Sequence, residues 1–259
     1  MGVMNLLDLS GKVALVTGGS RGIGLQMAEA LGEMGARVAI TARKQDELDE
    51  ARAHLTGLGI ECHTVAGDLA QFAALPAMVD SVDAHLGPVD ILVNNAGTNW
   101  AAPAEDYPDD GWRKVMGLNV DAQFFLAREV GRRAMIPRRS GKIVNIASIA
   151  GLLGNPPTWS MQTIAYNTSK GALVNMTRTL AAEWGKYNIN VNAICPGFFP
   201  SKMTSVFLDR ANRGVLDLTP LGRLGGEEDL KGSIVFLASE ASRHITGHLL
   251  PVDGGYTVI

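Results

Sequence analysis

Seven short runs of apolar and β-branched residues recur along the 259-residue chain, most of them separated by segments long enough to form a helix. Most of these runs are apolar on both faces, which is typical of parallel strands covered by helices on both sides of a sheet. The candidate strands are residues 12–17, 37–41, 61–66, 90–95, 142–147, 189–194 and 249–253.

The candidate helices are residues 22–34, 45–57, 71–86, 109–136, 163–186 and 227–240. Because strands and helices alternate along the whole length, the sequence predicts an α/β fold with one doubly wound, Rossmann-type parallel sheet of about seven strands. Residues 1–259 are therefore expected to form a single domain. Residues 198–226 fit no strand–helix unit, and we interpret them as an insertion over one end of the sheet.

Charge and composition exclude several classes of protein. A formal net charge of -3 leaves no basic excess for binding nucleic acid, and no apolar run is long enough to span a bilayer. The first ten residues lack the pattern of a signal peptide, so we expect a cytoplasmic protein. Cys62 and Cys195 stand singly and are expected to be reduced, although a disulfide between them stays open, and the five histidines suggest no metal site.

The segment TGGSRGIG, residues 17–24, follows the first candidate strand and opens a helix. Glycines at this place let a phosphate approach the backbone and the free N–H groups of a helix start. A tight turn without a ligand is the alternative, because the spacing is not the common G-x-G-x-x-G. The position favours a dinucleotide site with contacts from Gly18, Ser20, Arg21, Gly22, Ile23 and Gly24.

The end of the second strand indicates which dinucleotide binds. An Asp or Glu there bonds the ribose 2′-hydroxyl of NAD, but here the strand is followed by Arg43 and Lys44, and the first acid is Asp46. Two solvated arginines would be an ordinary finding for either residue alone. Together, Arg21 and Arg43 are placed to bind a 2′-phosphate, which predicts NADP(H) as the cofactor.

Tyr166 and Lys170 lie four residues apart in a candidate helix, so their side chains share one face. An ammonium near a phenol stabilises the phenolate and lowers the tyrosine pKa, which suits Tyr166 for proton transfer to or from a substrate oxygen. Ser148 follows the fifth strand, where it is either a substrate ligand or a helix cap. Asn119 lies in a helix and is either functional or an ordinary polar residue.

The order of these motifs is more specific than any one of them. TGGSRGIG, NNAG at 94–97, Asn119, IAS ending at Ser148, YNTSK at 166–170 and PG at 196–197 occur on successive units. The set resembles the short-chain dehydrogenase/reductase family, in its NADP(H)-preferring, single-domain branch. The resemblance covers essentially the whole chain, as far as LLPVDGG at 249–255.

The resemblance implies a role for each matching residue. Tyr166 would be the general acid/base, and Lys170 would lower its pKa and bind the nicotinamide ribose. Ser148 would orient the carbonyl, and Asn119 would hold a water that relays protons from Lys170. The remaining implied cofactor contacts are Asp68 and Leu69 at the adenine, Asn95, Ala96 and Gly97, and, over the carboxamide, Pro196, Gly197, Phe199 and Ser201.

The chain departs from the family pattern in two places. Ser148 and Tyr166 lie 18 residues apart, and the extra length falls in residues 152–163. This loop is expected to form one wall of the substrate pocket, with Trp159 and Met161 either contacting substrate or serving loop packing or a subunit contact. Ser201 stands where relatives commonly have Thr, and its hydroxyl is expected to keep the carboxamide contact.

The substrate stays open between two classes. The candidate substrate residues, many of them apolar, are Asn99, Trp100, Ser148, Leu152, Leu153, Trp159, Tyr166, Phe198, Phe199 and Met203, with the 198–226 insertion covering them. Apolar residues favour an acyl or aromatic carbonyl, yet the C-terminal segments resemble gluconate 5-dehydrogenases as well as 3-oxoacyl-(acyl-carrier-protein) reductases. A sugar acid and a 3-oxoacyl thioester are both possible.

Two further expectations concern activity and assembly. A catalytically silent NADP(H)-binding sensor is the alternative to an enzyme, but such a protein would be expected to lose Tyr166 or Lys170. An epimerase or dehydratase would need a larger C-terminal domain than the chain has room for. The last strand is expected at a sheet edge, and its apolar tail favours covering by another chain. The resemblance implies a homotetramer, built as a dimer of dimers.

Overall fold

A computed structural model describes residues 2–156, 161–200 and 214–259. Its centre is one parallel sheet of seven strands in the order β3-β2-β1-β4-β5-β6-β7. The strands are β1 Val13–Thr17, β2 Arg37–Ala42, β3 Cys62–Ala66, β4 Ile91–Asn94, β5 Gly141–Ile146, β6 Ile189–Pro196 and β7 Leu249–Val252. The predicted fold class is confirmed, and every candidate strand forms within two residues of its expected bounds.

The helices pack on both faces of the sheet. They are α1 Val3–Leu7, α2 Gly22–Glu33, α3 Gln45–Gly57, α4 Leu75–Leu86, α5 Asp109–Met116, α6 Ala122–Val130, α7 Ile136–Arg138, α8 Ile164–Trp184 and α9 Lys231–Ala238. Strand residues alternate between two apolar clusters: Ala14 and Val16 face α2, α3 and α9, whereas Val13 and Leu15 face α4 and α6. Both faces of the sheet are therefore covered, as the apolar strands require.

Several helix bounds differ from the expected ones. The candidate helix 109–136 is interrupted by two π turns, Gly117–Asp121 and Gly131–Met135, which separate α5, α6 and α7. The candidate helix 71–86 begins with a 3-10 turn, Phe72–Ala74, and α9 is shorter than the expected 227–240. The short helix α1 was not predicted, although Val3, Leu6 and Leu7 are apolar at helical spacing, and none of its residues is fully buried.

The strand order reverses between β1 and β4, which pair with each other although two other strands, β2 and β3, lie between them in the sequence. In open parallel sheets the crevice at such a point, beyond the carboxyl ends of the strands, is where ligands bind. None of the described helices is both long and apolar enough to cross a membrane. Cys62 and Cys195 are free thiols, both buried.

Candidate active site

The glycine turn connects β1 to α2 at the reversal point of the sheet. Gly24 packs so closely on this turn that a Cβ there would lie 2.2 Å from the Gly18 carbonyl oxygen, so a side chain would push α2 away. Among the described residues, no side chain caps the N-terminus of α2, whose first residue is Gly22. The first N–H groups of the helix are thus available to an anion beside the turn.

Thr17 joins the glycine turn to the segment after β4. Its hydroxyl accepts hydrogen bonds from the backbone N–H groups of Asn95 and Ala96, both at 2.9 Å. In return the Asn95 amide donates to the carbonyl oxygens of Thr17 at 2.8 Å and Gly18 at 3.2 Å. The predicted cofactor residues 95–97 are therefore held directly against the predicted phosphate turn, although sequence reasoning missed Thr17.

Charged side chains meet where β2 leads into α3. Arg21 Nη1 lies 2.7 Å from Glu47 Oε1, and Lys44 Nζ lies 3.0 Å from the same oxygen. The Ser20 hydroxyl is 3.5 Å from Glu47 Oε2. Arg43 is exposed beside this group. The two predicted arginines lie on adjoining segments. The structure also places an acid, Glu47, beside Arg21, which the sequence alone did not indicate.

Ser148 and Tyr166 come together beyond the end of β5. The Ser148 hydroxyl accepts a hydrogen bond from Ala150 N at 3.1 Å, so it caps the 3-10 turn Ile149–Gly151, and it also hydrogen-bonds Tyr166. A Cβ on Gly151 would lie 2.5 Å from the backbone of Lys170. That missing side chain lets the turn carrying Ser148 approach α8. Ser148 thus serves as a cap, which is one of its two predicted roles. Its hydroxyl also contacts the Tyr166 side chain.

Lys170 is 4% exposed and lies one turn of α8 from Tyr166. Its Nζ donates to the Ile146 carbonyl oxygen at 2.7 Å and lies 5.6 Å from the centre of the Tyr166 ring. Burial lowers the pKa of Lys170 to about 8, partly opposed by the Cys195 thiol. Tyr166 and Lys170 are thus neighbours, as the spacing predicts, with the ammonium hydrogen-bonded to a strand carbonyl.

The expected lowering of the Tyr166 pKa is wrong for the chain by itself. Burial raises the pKa of Tyr166, and the hydrogen bond with Ser148 opposes that rise without reversing it. The physical reason is that loss of hydration disfavours phenolate, while Lys170 is itself disfavoured as a cation by burial. The phenol therefore keeps its proton at neutral pH.

Asn119 lies in the π turn Gly117–Asp121 and is fully buried. Its amide nitrogen donates to Thr98 O and to Ser169 Oγ, both at 2.9 Å, and its oxygen accepts from Thr98 N at 2.8 Å. The Ser169 hydroxyl in turn donates to Tyr166 O at 2.7 Å. The Asn119 side chain is thus committed to bracing the segment after β4 against α8, which sequence reasoning did not foresee.

A second set of buried polar groups lies inside the sheet and was also missed. Asn94 donates to Asn145 Oδ1 at 2.9 Å, and Asn145 donates to Thr177 Oγ1 at 2.9 Å. Gln123 Nε2 donates to Ala96 O at 2.8 Å. The sequence does contain an indication of these buried groups, because Asn94 and Asn145 are asparagines within otherwise apolar strands. In the sheet the two residues pair in register. These bonds fix the strand ends from which the site residues project.

The described ends of the 152–163 loop are braced to the start of α8. Asn155 donates to Met161 O at 2.8 Å and to Thr163 Oγ1 at 2.9 Å. Asn167, next to Tyr166, donates to Asn155 Oδ1 at 3.1 Å and accepts from Thr163 at 2.9 Å. Met161 is partly buried, and Leu153 is 42% exposed. The loop is therefore anchored beside the Tyr166 backbone.

The aromatic candidates are placed differently from one another. The Trp100 ring packs on Gly111 of α5, with Lys114 Nζ 5.3 Å from the centre of a Trp100 ring. Phe198 meets the Tyr256 ring edge-on at 5.4 Å. Phe199 is buried against Gly225, where a Cβ would lie 2.3 Å from its ring. Packing thus accounts for much of the surface of these three rings.

The remaining predicted site residues lie at the same edge of the sheet or outside the described residues. Leu69 is buried and Asp68 is exposed, and both follow β3. Gly197 follows Pro196 at the end of β6 and donates to Val252 O at 3.0 Å. Ser201, Trp159 and Met203 lie outside the residues that the structure describes. Within 2–156, 161–200 and 214–259, no three His, Cys, Asp or Glu side chains are grouped to hold a metal ion.

Comparison with known proteins gives consistent matches over nearly the full length. Residues 18–257 match a family model described as enoyl-(acyl carrier protein) reductase. Gluconate 5-dehydrogenase of Gluconobacter oxydans is 39% identical over 256 residues, covering 98% of each chain. The rhamnolipids biosynthesis 3-oxoacyl-(acyl-carrier-protein) reductase of Pseudomonas aeruginosa is 38% identical over 254 residues, covering 96% of this chain and 97% of that protein.

A solved structure makes the same point in three dimensions. The gluconate 5-dehydrogenase of Burkholderia cenocepacia, in complex with NADP and tartrate, superposes with a TM-score of 0.93 at 35% identity and 100% coverage of both chains. Family model, curated relatives and solved structure thus agree with the order of motifs around Tyr166. The chain is an oxidoreductase and belongs to the short-chain dehydrogenase/reductase family.

Proposed function

We propose that the chain interconverts a ketone and a secondary alcohol with NADP(H), using Tyr166 as the general acid/base. The observation that carries this proposal is the convergence of Ser148, Tyr166 and Lys170 beside the glycine turn at the reversal point of the sheet. A silent dinucleotide-binding protein finds no support, since the named relatives are enzymes.

The residues at the reversal point fit a dinucleotide. The uncapped N-terminus of α2 supplies N–H donors for a pyrophosphate, and we propose contacts from Gly18, Gly22 and Gly24. A Cβ on Gly22 would meet no other atom within 4 Å, whereas Gly18 and Gly24 let the turn pack closely on Asn95. The further contacts that we propose are Ser20, Ile23, Asp68, Leu69, Asn95, Ala96, Gly97, Pro196, Gly197, Phe199 and Ser201. When bound, the reduced nicotinamide supplies the hydride. The chain's own residues need only position the ring and the substrate.

NADP(H) rather than NAD(H) is proposed from the adenosine end of the site. Arg21 and Arg43 lie on the two segments that border the expected ribose, and a guanidinium binds phosphate through two parallel hydrogen bonds. The Burkholderia cenocepacia relative was crystallised with NADP, which supports the same assignment.

Proton transfer is assigned to Tyr166. Since burial raises its pKa, the phenol holds a proton at neutral pH and donates it to the carbonyl oxygen as that oxygen gains negative charge. Ser148, bonded to the same phenol, donates a second hydrogen bond to the oxygen. Oxidation of the alcohol needs the phenolate, so a rising pH favours that direction.

Lys170 and Asn119 act around the phenol. Lys170 carries its charge below a pKa of about 8 and lies near the Tyr166 ring, so it stabilises negative charge there and offers donors to the nicotinamide ribose. Asn119 is proposed to hold the proton-relay water. Because its side chain is committed to Thr98 and Ser169, that role falls to the backbone of the π turn.

A sugar acid is the first substrate class that we propose. Support comes from the gluconate 5-dehydrogenase relatives, one of which was crystallised with tartrate, a hydroxy acid. A 3-oxoacyl thioester is the second class, favoured by the Pseudomonas aeruginosa relative and by the exposed Leu153. In either case residues 198–226 are proposed to cover the substrate, with contacts from Trp100, Trp159, Phe198 and Met203.

A homotetramer, built as a dimer of dimers, is proposed from the family resemblance, and the C-terminal edge of the sheet supports assembly with another chain. β7 is an edge strand, and Val258 and Ile259 beyond it are 79% and 74% exposed. Apolar residues next to an unpaired edge favour covering by a second chain. Light scattering on the purified protein measures the assembly directly. The cytoplasmic location stays a prediction.

The deciding experiment follows NADPH consumption with 5-ketogluconate, a 3-oxoacyl thioester and an aromatic diketone, with NADH in parallel. We expect turnover of 5-ketogluconate with NADPH, and none in the Tyr166→Phe variant. Turnover of the thioester alone would select the second substrate class. Tight NADPH binding without turnover of any carbonyl would contradict the proposal.

A further inference from the structure

Glu47 is the acidic centre of an otherwise basic group at the adenosine end of the site. One of its oxygens accepts from both Arg21 at 2.7 Å and Lys44 at 3.0 Å. The carboxylate thereby joins the glycine turn to the segment after β2. Its side chain is 22% exposed, against 54% for Arg21 and 61% for Lys44, so Glu47 is the most enclosed of the three.

The position of Glu47 in α3 favours its ionised form. It lies in the first turn of α3, where the positive end of the helix dipole stabilises a carboxylate. Two cations on the same oxygen act in the same direction. The ion pairs are therefore present at neutral pH, and Arg21 is already bonded to an anion before any cofactor arrives.

This arrangement has a consequence that rests on the proposed use of NADP(H). A 2′-phosphate that is bound through Arg21 competes with Glu47 for the same guanidinium and meets the negative charge of the carboxylate. NAD(H) has a hydroxyl in place of that phosphate, so its binding leaves the Arg21–Glu47 pair intact. The pair thus acts against one cofactor and not the other.

We propose that Glu47 is a specificity-determining residue that limits the preference of this enzyme for NADP(H) over NAD(H), by holding Arg21 in an ion pair that the 2′-phosphate must displace. Glu47 is a positioning residue in this scheme, because it acts through Arg21. Because the Arg21–Glu47 pair is exposed, its effect on the preference for NADPH over NADH is modest and weakens as salt is added.

The test compares Glu47→Gln with Asp46→Asn. Both variants remove one negative charge from the first turn of α3, but Asp46 is exposed and lies outside the Arg21 pair. Dissociation constants for NADPH and NADH are measured by calorimetry without substrate, at low and high salt. For Glu47→Gln at low salt we expect NADPH to bind about fivefold more tightly and NADH to change less than about twofold. Asp46→Asn should leave both constants within about twofold.

A double variant separates the effect on Arg21 from a general change in folding or charge. In an Arg21→Gln background, Glu47→Gln should tighten NADPH binding less than it does in the wild type, because the competition for Arg21 is gone and only the repulsion between the carboxylate and the phosphate is relieved. An equal gain with and without Arg21, or a gain shared by NADH, would overturn the proposal.

The experiment also distinguishes failure of this inference from failure of the proposed cofactor. If Glu47→Gln leaves NADPH binding unchanged while Arg43→Asp weakens it, the Glu47 inference is wrong and NADP(H) stands. If the wild-type protein binds NADPH no more tightly than NADH and Arg43→Asp changes neither, the NADP(H) assignment itself is wrong.

Discussion

Around Tyr166 the polar groups are buried and held mainly by neutral hydrogen bonds, whereas around Arg21 they are exposed and held by ion pairs. Asn119 and Lys170 are 0% and 4% exposed, against 54% for the side chain of Arg21. Buried polar groups have few alternative partners, so each is fixed in one place. Exposed charges exchange partners with water and salt at little cost. The reaction end is therefore rigid, and the recognition end is adjustable.

The largest expected effect lies at the rigid end. Tyr166→Phe removes one hydroxyl and the proton it donates, so kcat for carbonyl reduction should fall by about 10³-fold while the dissociation constant for NADPH stays within about twofold. Steady-state assays and calorimetry measure the two quantities. Tyr187→Phe, in the turn before β6, removes the same group at the opposite end of the sheet and should leave kcat unchanged. A kcat near the wild-type value for Tyr166→Phe would contradict the assigned role.

Lys170 should link stability to pH. Its folded pKa of about 8 lies below the ordinary 10.5, so between these pH values the unfolded chain holds a proton that the folded chain lacks. Stability from this group therefore rises with pH across that window, by up to about 3 kcal/mol. Urea titrations measure the free energy of unfolding. Across this pH window it should rise by about this amount more in the wild type than in Lys170→Met. Lys186→Met, an exposed lysine, should keep the wild-type slope.

Asn119→Ala tests how firmly the reaction end is braced. The change leaves Thr98 and Ser169 without the Asn119 amide, and the free energy of unfolding should fall by about 2–3 kcal/mol. Denaturant titration measures it. Asn175→Ala, an exposed asparagine on the same helix as Tyr166, should change it by less than about 0.5 kcal/mol. Equal losses in the two variants would remove the contrast between buried and exposed polar groups.

The smallest of these effects is expected at the recognition end. Arg43→Asp places a carboxylate beside the proposed 2′-phosphate, and the ratio of kcat/KM for NADPH to that for NADH should fall about tenfold. The fall should shrink at high salt, since Arg43 is exposed. Arg52→Asp, farther along α3, should leave the ratio unchanged. A salt-independent loss would mean that this end is less adjustable than its exposure indicates.

The sequence predicted what depends on local patterns. Alternation of apolar runs was enough for the seven strands, and four-residue spacing was enough to place Tyr166 beside Lys170. Contacts that join distant segments were not predictable in this way. Glu47 was missed because its partner Arg21 lies 26 residues earlier, and Ser169 because its bond to Asn119 spans 50 residues. The rise of the Tyr166 pKa was missed because burial of one side chain is a property of the folded chain.

The π turn Gly117–Asp121 makes the number of residues in its helix matter as much as their identity. A π turn closes its hydrogen bond one residue later than an α turn, so it sets α5 about 100° out of phase with α6. Deleting a single residue there would restore a regular helix and rotate the residues before the deletion relative to those after it. Either Asn119 would lose its hydrogen bond to Ser169, or α5 would lose its packing against Trp100. We therefore expect a one-residue deletion in this turn to disturb the site more than the exchange of one of its exposed side chains.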